Sequence, residues 1–275
     1  MSDSHICVVM AVYNRLHNVH MALHSWSLQT NQSFSIVVAD DGSEADIASL
    51  IEKYKHMDIQ HYRRRYGNVA TVLNKGTALV PEETTHVWYT DGDIIRGKDA
   101  MEWAYQHIDQ HPERVIIGRY DWLPAMTIDE QMLETAYESI GQHEGIRPDH
   151  RVGTGRYGAE FFDHNEFDGN PLLGANFIMP LDAWFEIGGW DEHIPGCNAN
   201  DCDLAWTLND AGYHSLTCNH IGGYHQLHPS DGEAKQEGAC ISLVYIFRKH
   251  GKPLPPLYEP YIEKERKWRE EHGYA

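Results

Sequence analysis

The 275-residue chain carries 41 acidic residues against 22 basic ones, a formal charge of −19 with histidine neutral. That balance excludes a surface built for nucleic acid, which needs clustered cations, so an anionic substrate would have to be met by a local cationic device. No stretch approaches the roughly 20 apolar residues of a membrane span, and Met1-Ser2-Asp3-Ser4 lacks the basic and apolar parts of a secretory leader, so a cytoplasmic protein with no transmembrane segment is expected.

In chain order, the first half alternates strand and helix signals. Residues 6–12 are an apolar run of buried-strand length, and Leu16, Val19, Leu23 and Trp26 then recur at helical spacing. Residues 35–39 predict a second buried strand, stopped by Asp40-Asp41-Gly42-Ser43. Ser43 and Asp46 have capping-box spacing and predict a helix to about residue 55. A strand over 59–62, a helix over 69–79 and an apolar-aromatic strand over 86–90 follow, then a helix over 99–111 closed by Pro112 and a strand over 114–120.

Beyond Tyr120 the pattern loosens. Residues 142–171, rich in Gly, His, Asp and Asn around Arg151-Val152-Gly153-Thr154-Gly155-Arg156, predict a long mobile loop or lid. A strand over 174–179, a helix over 181–187, the turn Gly188-Gly189-Trp190 and a helix over 201–211 come next. Residues 231–275 predict a helical tail interrupted by Pro253, Pro255, Pro256 and Pro260. The five cysteines (Cys7, Cys197, Cys202, Cys218, Cys240) are odd in number and scattered, which favours reduced thiols, and Cys197, Cys202, Cys218 and His220 match no zinc-finger spacing.

Strands alternating with helices predict an α/β fold, a mostly parallel sheet covered on both faces. Ligands in such sheets sit beyond the carboxyl ends of the strands. Both acidic turns, Asp40-Asp41 and Asp91-Gly92-Asp93, fall there. Two carboxylates one residue apart at a strand end suit a divalent cation held against phosphate, since hard cations take carboxylate and phosphate oxygens; the same turn could simply cap the next helix. Arg63-Arg64-Arg65 is the one basic run, read equally as a solvated run or as a source of charge-assisted bonds to a diphosphate, with Arg64 the representative residue. Trp190 offers an aromatic face to a sugar or to the core.

Four segments taken together resemble the GT-A glycosyltransferases, most closely the inverting family 2 group. They are Val8-Val9-Met10-Ala11-Val12-Tyr13-Asn14-Arg15, Val37-Val38-Ala39-Asp40-Asp41-Gly42-Ser43, Asp91-Gly92-Asp93, and Gly188-Gly189-Trp190-Asp191 with Asn200-Asp201-Cys202-Asp203-Leu204. The resemblance implies a GT-A, Rossmann-like domain over 1–230, with a nucleotide-binding half to residue 120, an acceptor-binding half beyond it, and a tail from 231. It implies Mn²⁺ or Mg²⁺ on Asp93, with Asp91 at the donor ribose or the surroundings of the metal. It places Asp41 on a uracil imide with Tyr13 packed beside the base. Asp201 would be the general base, with Asn200, Asp203 and Trp190 on the acceptor side. His225 resembles the histidine that completes the metal shell in bacterial amino-sugar polysaccharide polymerases, with His228 its close rival.

The chain departs from the family in two places. Val72-Leu73-Asn74 stands where members often carry Ala-Arg-Asn, so Asn74 is kept as an expected donor-binding residue and the arginine is absent. Asn200 replaces the usual first acid of the base motif. The function implied is metal-dependent inverting transfer of a hexosyl or N-acetylhexosaminyl group from a nucleotide donor, a UDP-sugar, to a hydroxyl of a glycan, lipid-linked saccharide, peptide or small molecule. The tail could also bring the enzyme to a membrane as a peripheral protein. A retaining transferase of the same fold, a nucleotidyltransferase and an inactive sugar-nucleotide-binding protein are the alternatives, the second weakened by the lack of a Gly-rich phosphate loop after the first strand.

Overall fold

Apolar runs bounded by acidic and glycine turns set the frame. In the computed structural model, which describes residues 4–149, 172, 176–195, 199–229 and 232–274, the described chain runs β1 (Ile6–Val12), α1 (Leu16–Ser27), β2 (Phe34–Asp40), α2 (Ile47–Ile51), β3 (Ile59–Arg63), α3 (Val69–Thr77), β4 (His86–Asp91), β5 (Ile94–Arg96), α4 (Ala100–Gln110) and β6 (Val115–Trp122). It continues through α5 (Glu130–Thr135), α6 (Tyr137–Ile140), β7 (Asn176–Pro180), α7 (Leu181–Ile187), α8 (Asn200–Asp210), β8 (Ser215–His225), α9 (Gly232–Lys249) and α10 (Ile262–His272).

The strands form one mixed sheet in the order β3-β2-β1-β4-β7-β6-β8-β5. From β3 to β4 all pairs are parallel, β7 is antiparallel to both its neighbours, β8 runs with β6, and β5 opposes β8. Alternate side chains of β1 and β4 feed two apolar layers. Val8, Met10 and Trp88 pack with Trp26 and Ile108 on one face, and Val9 and Tyr89 pack with Phe177, Trp190 and Leu204 on the other. Register places Ala11 opposite Asp91 and Val12 opposite Asp40, so the carboxyl ends of β1, β2 and β4 meet at one edge. Gly92 permits this closeness, because a Cβ there would lie 2.9 Å from Val12 Cγ2 and 3.2 Å from the Ala11 carbonyl.

Several expectations change in detail. Ser43 does not open a capping box: its amide and hydroxyl are both given to Asp40 Oδ1, at 2.8 and 2.6 Å, and Asp46 itself caps α2 by accepting the Ser49 amide. That helix is correspondingly short and passes into a 3₁₀ turn over Glu52–Tyr54. Strand β8, eleven residues long, has no counterpart in the sequence reading, because Asn219, His220, Gly222 and Gly223 break any alternation; it exists through pairing with β6 and β5. Of the predicted loop over 142–171, residues 150–171 lie outside the described residues, as do 174–175 of the predicted strand; Arg147 bridges to Trp122.

The tail is packed onto the preceding domain. Ile246 and Phe247 of α9 join Ile194 and Trp206 in an apolar cluster, and the Ser242 hydroxyl donates to the Pro195 carbonyl at 2.8 Å.

Candidate active site

The turn between β4 and β5 brings Asp93 into the protein, 2 % exposed, where three side chains converge on it. Arg15 Nη1 lies 2.9 Å from Oδ2, His228 Nε2 3.3 Å from Oδ2, and His225 Nε2 3.4 Å from Oδ1. His225 ends β8 and is held by Trp122, whose ring centroid is 4.0 Å away. One ligand atom each from Asp93, His225 and His228 lies within 4.8 Å of the other two. Asp93 Oδ1 is buried with no hydrogen-bond partner among the described residues, as expected of an atom whose partner is an ion.

A carboxylate with two imidazoles suits a borderline ion such as Mn²⁺ better than Mg²⁺. Burial, and then the neighbouring Asp93 carboxylate, push the Asp91 carboxyl up to about 6. Burial also raises Asp93 against the pull of Arg15, and lowers His225 to about 4 against the pull of Asp91, keeping its imidazole neutral and its lone pair available. The sequence left His225 and His228 as rivals; the structure brings both to Asp93.

This cluster borders a cavity of about 490 Å³ that is also lined by the start of α8, with Asn200 and Asp201, and by Trp190. Asn200 is 6 % exposed and both its amide atoms lack a hydrogen-bond partner among the described residues. Asp201 Oδ1 accepts the Cys202 amide at 2.9 Å, and the Asp201 charge is close enough to raise Asp91 further. Trp190 is both core and cleft wall: it is 3 % exposed and packs edge-on to Tyr89 at 5.3 Å.

A second cavity of about 440 Å³ shares Arg15, Asp91 and Asp93 with the first and extends to Tyr13, Asp41 and Arg65. The Arg65 guanidinium lies 4.3 Å over the Tyr13 ring and 2.8 Å from Asp41 Oδ2. Asp41 also accepts the amides of Tyr66 at 2.6 Å and Gly67 at 3.0 Å on Oδ1.

The model of glycosyl transferase family 2 matches residues 7–158. The chain belongs to glycosyl transferase family 2. It is similar to validoxylamine A glucosyltransferase of Streptomyces hygroscopicus subsp. jinggangensis, 24% identical over 271 residues that cover 92% of this chain and 63% of that protein. It also resembles the poly(ribitol-phosphate) beta-N-acetylglucosaminyltransferase TarP of Staphylococcus aureus, 25% identical over 120 residues, 42% of this chain and 36% of TarP. The chain thus spans less than two thirds of the length of these curated relatives.

Among solved structures, S. aureus TarS (residues 1–349) in complex with UDP-GlcNAc matches with a TM-score of 0.66 at 13% identity, over 96% of this chain and 72% of that one. The mannosyltransferase PcManGT of Pyrobaculum calidifontis, in complex with GDP-Man and Mn²⁺, matches at 0.63 and 14%, over 96% and 69%. GalNAc-T7 with UDP, GalNAc and Mn²⁺ matches at 0.66 and 14%, over 98% and 54%. At these identities the likeness is one of fold, and the fold is GT-A. No helix among the described residues is long and apolar enough to cross a membrane.

Not every residue singled out in the sequence reaches the cleft. Arg64 is exposed, its guanidinium 5.3 Å from the Tyr66 ring, and it is the next arginine, Arg65, that lines the cavity. Asn74 is spent on the Gly-Gly-Trp turn: it accepts the Trp190 amide at 2.9 Å and donates to the Trp190 carbonyl and Glu192, at 2.9 and 2.8 Å. Asp203 turns away from the cavity into an ion pair with Lys249 at 2.8 Å and a contact with His250 Nε2 at 2.9 Å. Conversely, Arg15, Trp122, Arg147 and Lys235 line the cleft without having been singled out. Arg15 was within reach of sequence reasoning, as the first cation after the strand that faces the acidic turns.

Proposed function

We propose that this cleft transfers a hexosyl or N-acetylhexosaminyl group from a UDP-sugar to an acceptor hydroxyl with inversion, with a divalent cation on Asp93, His225 and His228 and with Asp201 as the general base. The observation that carries the reading is that the three convergent ligand side chains and Asp201 line one cavity. The cation, Mn²⁺ in preference to Mg²⁺, would neutralise charge on the departing diphosphate.

The chain's own residues do the rest. Asp201 sits in the first turn of α8, where the helix dipole favours the ionised carboxylate, ready to take the acceptor proton. A single base acting opposite the leaving group yields inversion. The Asn200 amide, which has no partner among the described residues, hydrogen-bonds the acceptor, and Trp190 contacts its apolar face. On the donor side the base packs against Tyr13. A carboxylate has about four acceptor positions, so the bonds already made to Asp41 leave little beyond a single imide N–H. Asp91 faces the donor ribose or the surroundings of the ion. UDP and UDP-GlcNAc in the GalNAc-T7 and TarS structures support a uridine donor, and the names of the curated relatives support glucosyl or N-acetylglucosaminyl transfer.

Asp201→Asn tests the assignment. Nucleotide release measured over a panel of UDP-sugars and acceptors should fall by about 10²-fold or more, while Mn²⁺-dependent stabilisation by UDP persists. Near-normal turnover would place the base elsewhere.

A further inference from the structure

A second group of ligand side chains lies on the outside of the molecule, independent of the cleft. Helix α1 presents His20 and His24, and α5 presents Glu130 and Glu134. Residues four apart stack on one helix face, so each helix offers two side chains to the other. His20 Nε2 lies 3.0 Å from Glu130 Oε1, and His24 Nε2 3.2 Å from Glu134 Oε1. Ligand atoms of His24, Glu130 and Glu134 all fall within 4.8 Å of one another, so His24 reaches both carboxylates. The imidazoles are largely covered, with side chains 20% and 12% exposed, and the glutamates are about half exposed. Tyr54 braces the pair from the side: its ring lies 6.0 and 6.5 Å from the two imidazoles and its hydroxyl donates to the His20 carbonyl at 3.3 Å.

We propose that His24, Glu130 and Glu134 form a zinc site that ties α5 to α1, with His20 holding Glu130 from outside the ligand set. Zinc takes imidazole nitrogen and carboxylate oxygen at about 2.0–2.2 Å in a tetrahedron, which sets neighbouring donor atoms roughly 3.3 Å apart. The 3.2 Å between His24 Nε2 and Glu134 Oε1 already matches that spacing. The imidazole disfavours Ca²⁺ and Mg²⁺, which prefer an all-oxygen shell, and a mixed imidazole and carboxylate donor set suits Zn²⁺. The site clamps the helix whose preceding residue, Arg15, grips Asp93, and Met21 of that helix already shares an apolar cluster with Leu133 of α5.

The test is calorimetric titration of chelator-stripped protein with ZnCl₂. In Asp93→Ala/His225→Ala, which removes two of the three cleft ligands, one equivalent should still bind, with a dissociation constant on the order of 1 µM. Adding His24→Ala or the milder Glu134→Gln should weaken that binding at least tenfold and abolish the zinc-dependent rise in melting temperature. If the double variant does not fold, Glu134→Gln in the otherwise wild-type chain should lower zinc uptake by one equivalent. Loss of all zinc binding with the cleft ligands, or uptake unchanged by His24→Ala and Glu134→Gln, would overturn the site. Neither result bears on the glycosyl-transfer reading, which rests on other residues.

Discussion

Asn14 and Arg15 both adopt the left-handed backbone region, at φ 57° and 56°, where side chains other than glycine are uncommon. Two such residues in succession persist only where surrounding contacts dictate them. Here Asn14 Oδ1 accepts the Glu44 amide at 2.8 Å, and the Asn14 amide donates to Ser43 Oγ at 2.7 Å, pinning the turn to the Asp40 end of β2. The consequence is that Arg15 is aimed at Asp93, neutralising one of its oxygens. A guanidinium and a divalent cation compete for that carboxylate. Arg15→Ala should therefore tighten Mn²⁺ binding in the absence of nucleotide by about 3–10-fold, by removing a like charge from the site. Alanine meets the same backbone cost as arginine there, so the fold should be unaffected. Titration with Mn²⁺ monitored by electron paramagnetic resonance reads this directly, and unchanged or weaker binding would show that Arg15 does not compete.

At the level of elements, α9 is the brace of the acceptor wall. Lys249 Nζ lies 2.8 Å from both Asp191, just after Trp190, and Asp203, in the first turn of α8; His250 Nε2 adds a contact to Asp203 at 2.9 Å. Burial alone would raise the Asp191 carboxyl, but Lys249, the His193 amide and the Tyr245 hydroxyl hold it down at about 2. Lys249→Met leaves two largely buried carboxylates without their shared cation. Breaking a buried pair costs about 3–5 kcal/mol, less here because the lysine is 30% exposed, so a loss of about 2 kcal/mol is expected, or roughly 4–8 °C in melting temperature. The double variant Lys249→Met/Asp203→Asn should recover part of it. A single-variant loss below about 0.5 kcal/mol would mean that the ion pairs do not hold the wall.

The same elements explain what could be read from the chain. Asp91-Gly92-Asp93 was legible because a strand end, a close-approach glycine and two acids are all local features. Asp203 was visible as an acid beside Asp201, but its direction was not, since its partners lie 46 and 47 residues later. Asn74 was misdirected for the same reason, its partners being 116 and 118 residues away. Strand β8, which delivers His225, has glycines where a sequence pattern would need alternation. A Cβ at Gly223 would lie 2.5 Å from the Ile95 carbonyl, so those glycines answer to a neighbouring strand rather than to any local rule.

For the molecule as a whole, pH sets two effects against each other. With a formal charge of −19, net proton uptake as pH falls relieves self-repulsion and favours the folded state. Buried His86 works the other way. It is 4 % exposed on β4, with Nε2 2.9 Å from the Pro112 carbonyl and Nδ1 2.9 Å from the Thr85 hydroxyl. Nε2 donates to the Pro112 carbonyl, and the Thr85 hydroxyl is shared between Nδ1 and the His5 carbonyl 3.1 Å away. Burial lowers its pKa below 6.5, outweighing the Pro112 carbonyl and Asp182. Below pH 6.5 the unfolded chain therefore binds a proton that the folded chain does not, so this residue's contribution to stability is complete above that pH and is lost progressively as pH falls towards the folded-state value. The slope is at most about 1.4 kcal/mol per pH unit for one proton. Urea unfolding in EDTA at pH 7.5 and 5.5 isolates it by comparison with His86→Gln, which keeps a donor for Pro112 but cannot titrate. The stability of the wild type relative to this variant should fall by about 1 kcal/mol between the two pH values, while the relief of self-repulsion is common to both and cancels. A difference that stays constant with pH would show that the His86 ring is not held neutral by the fold.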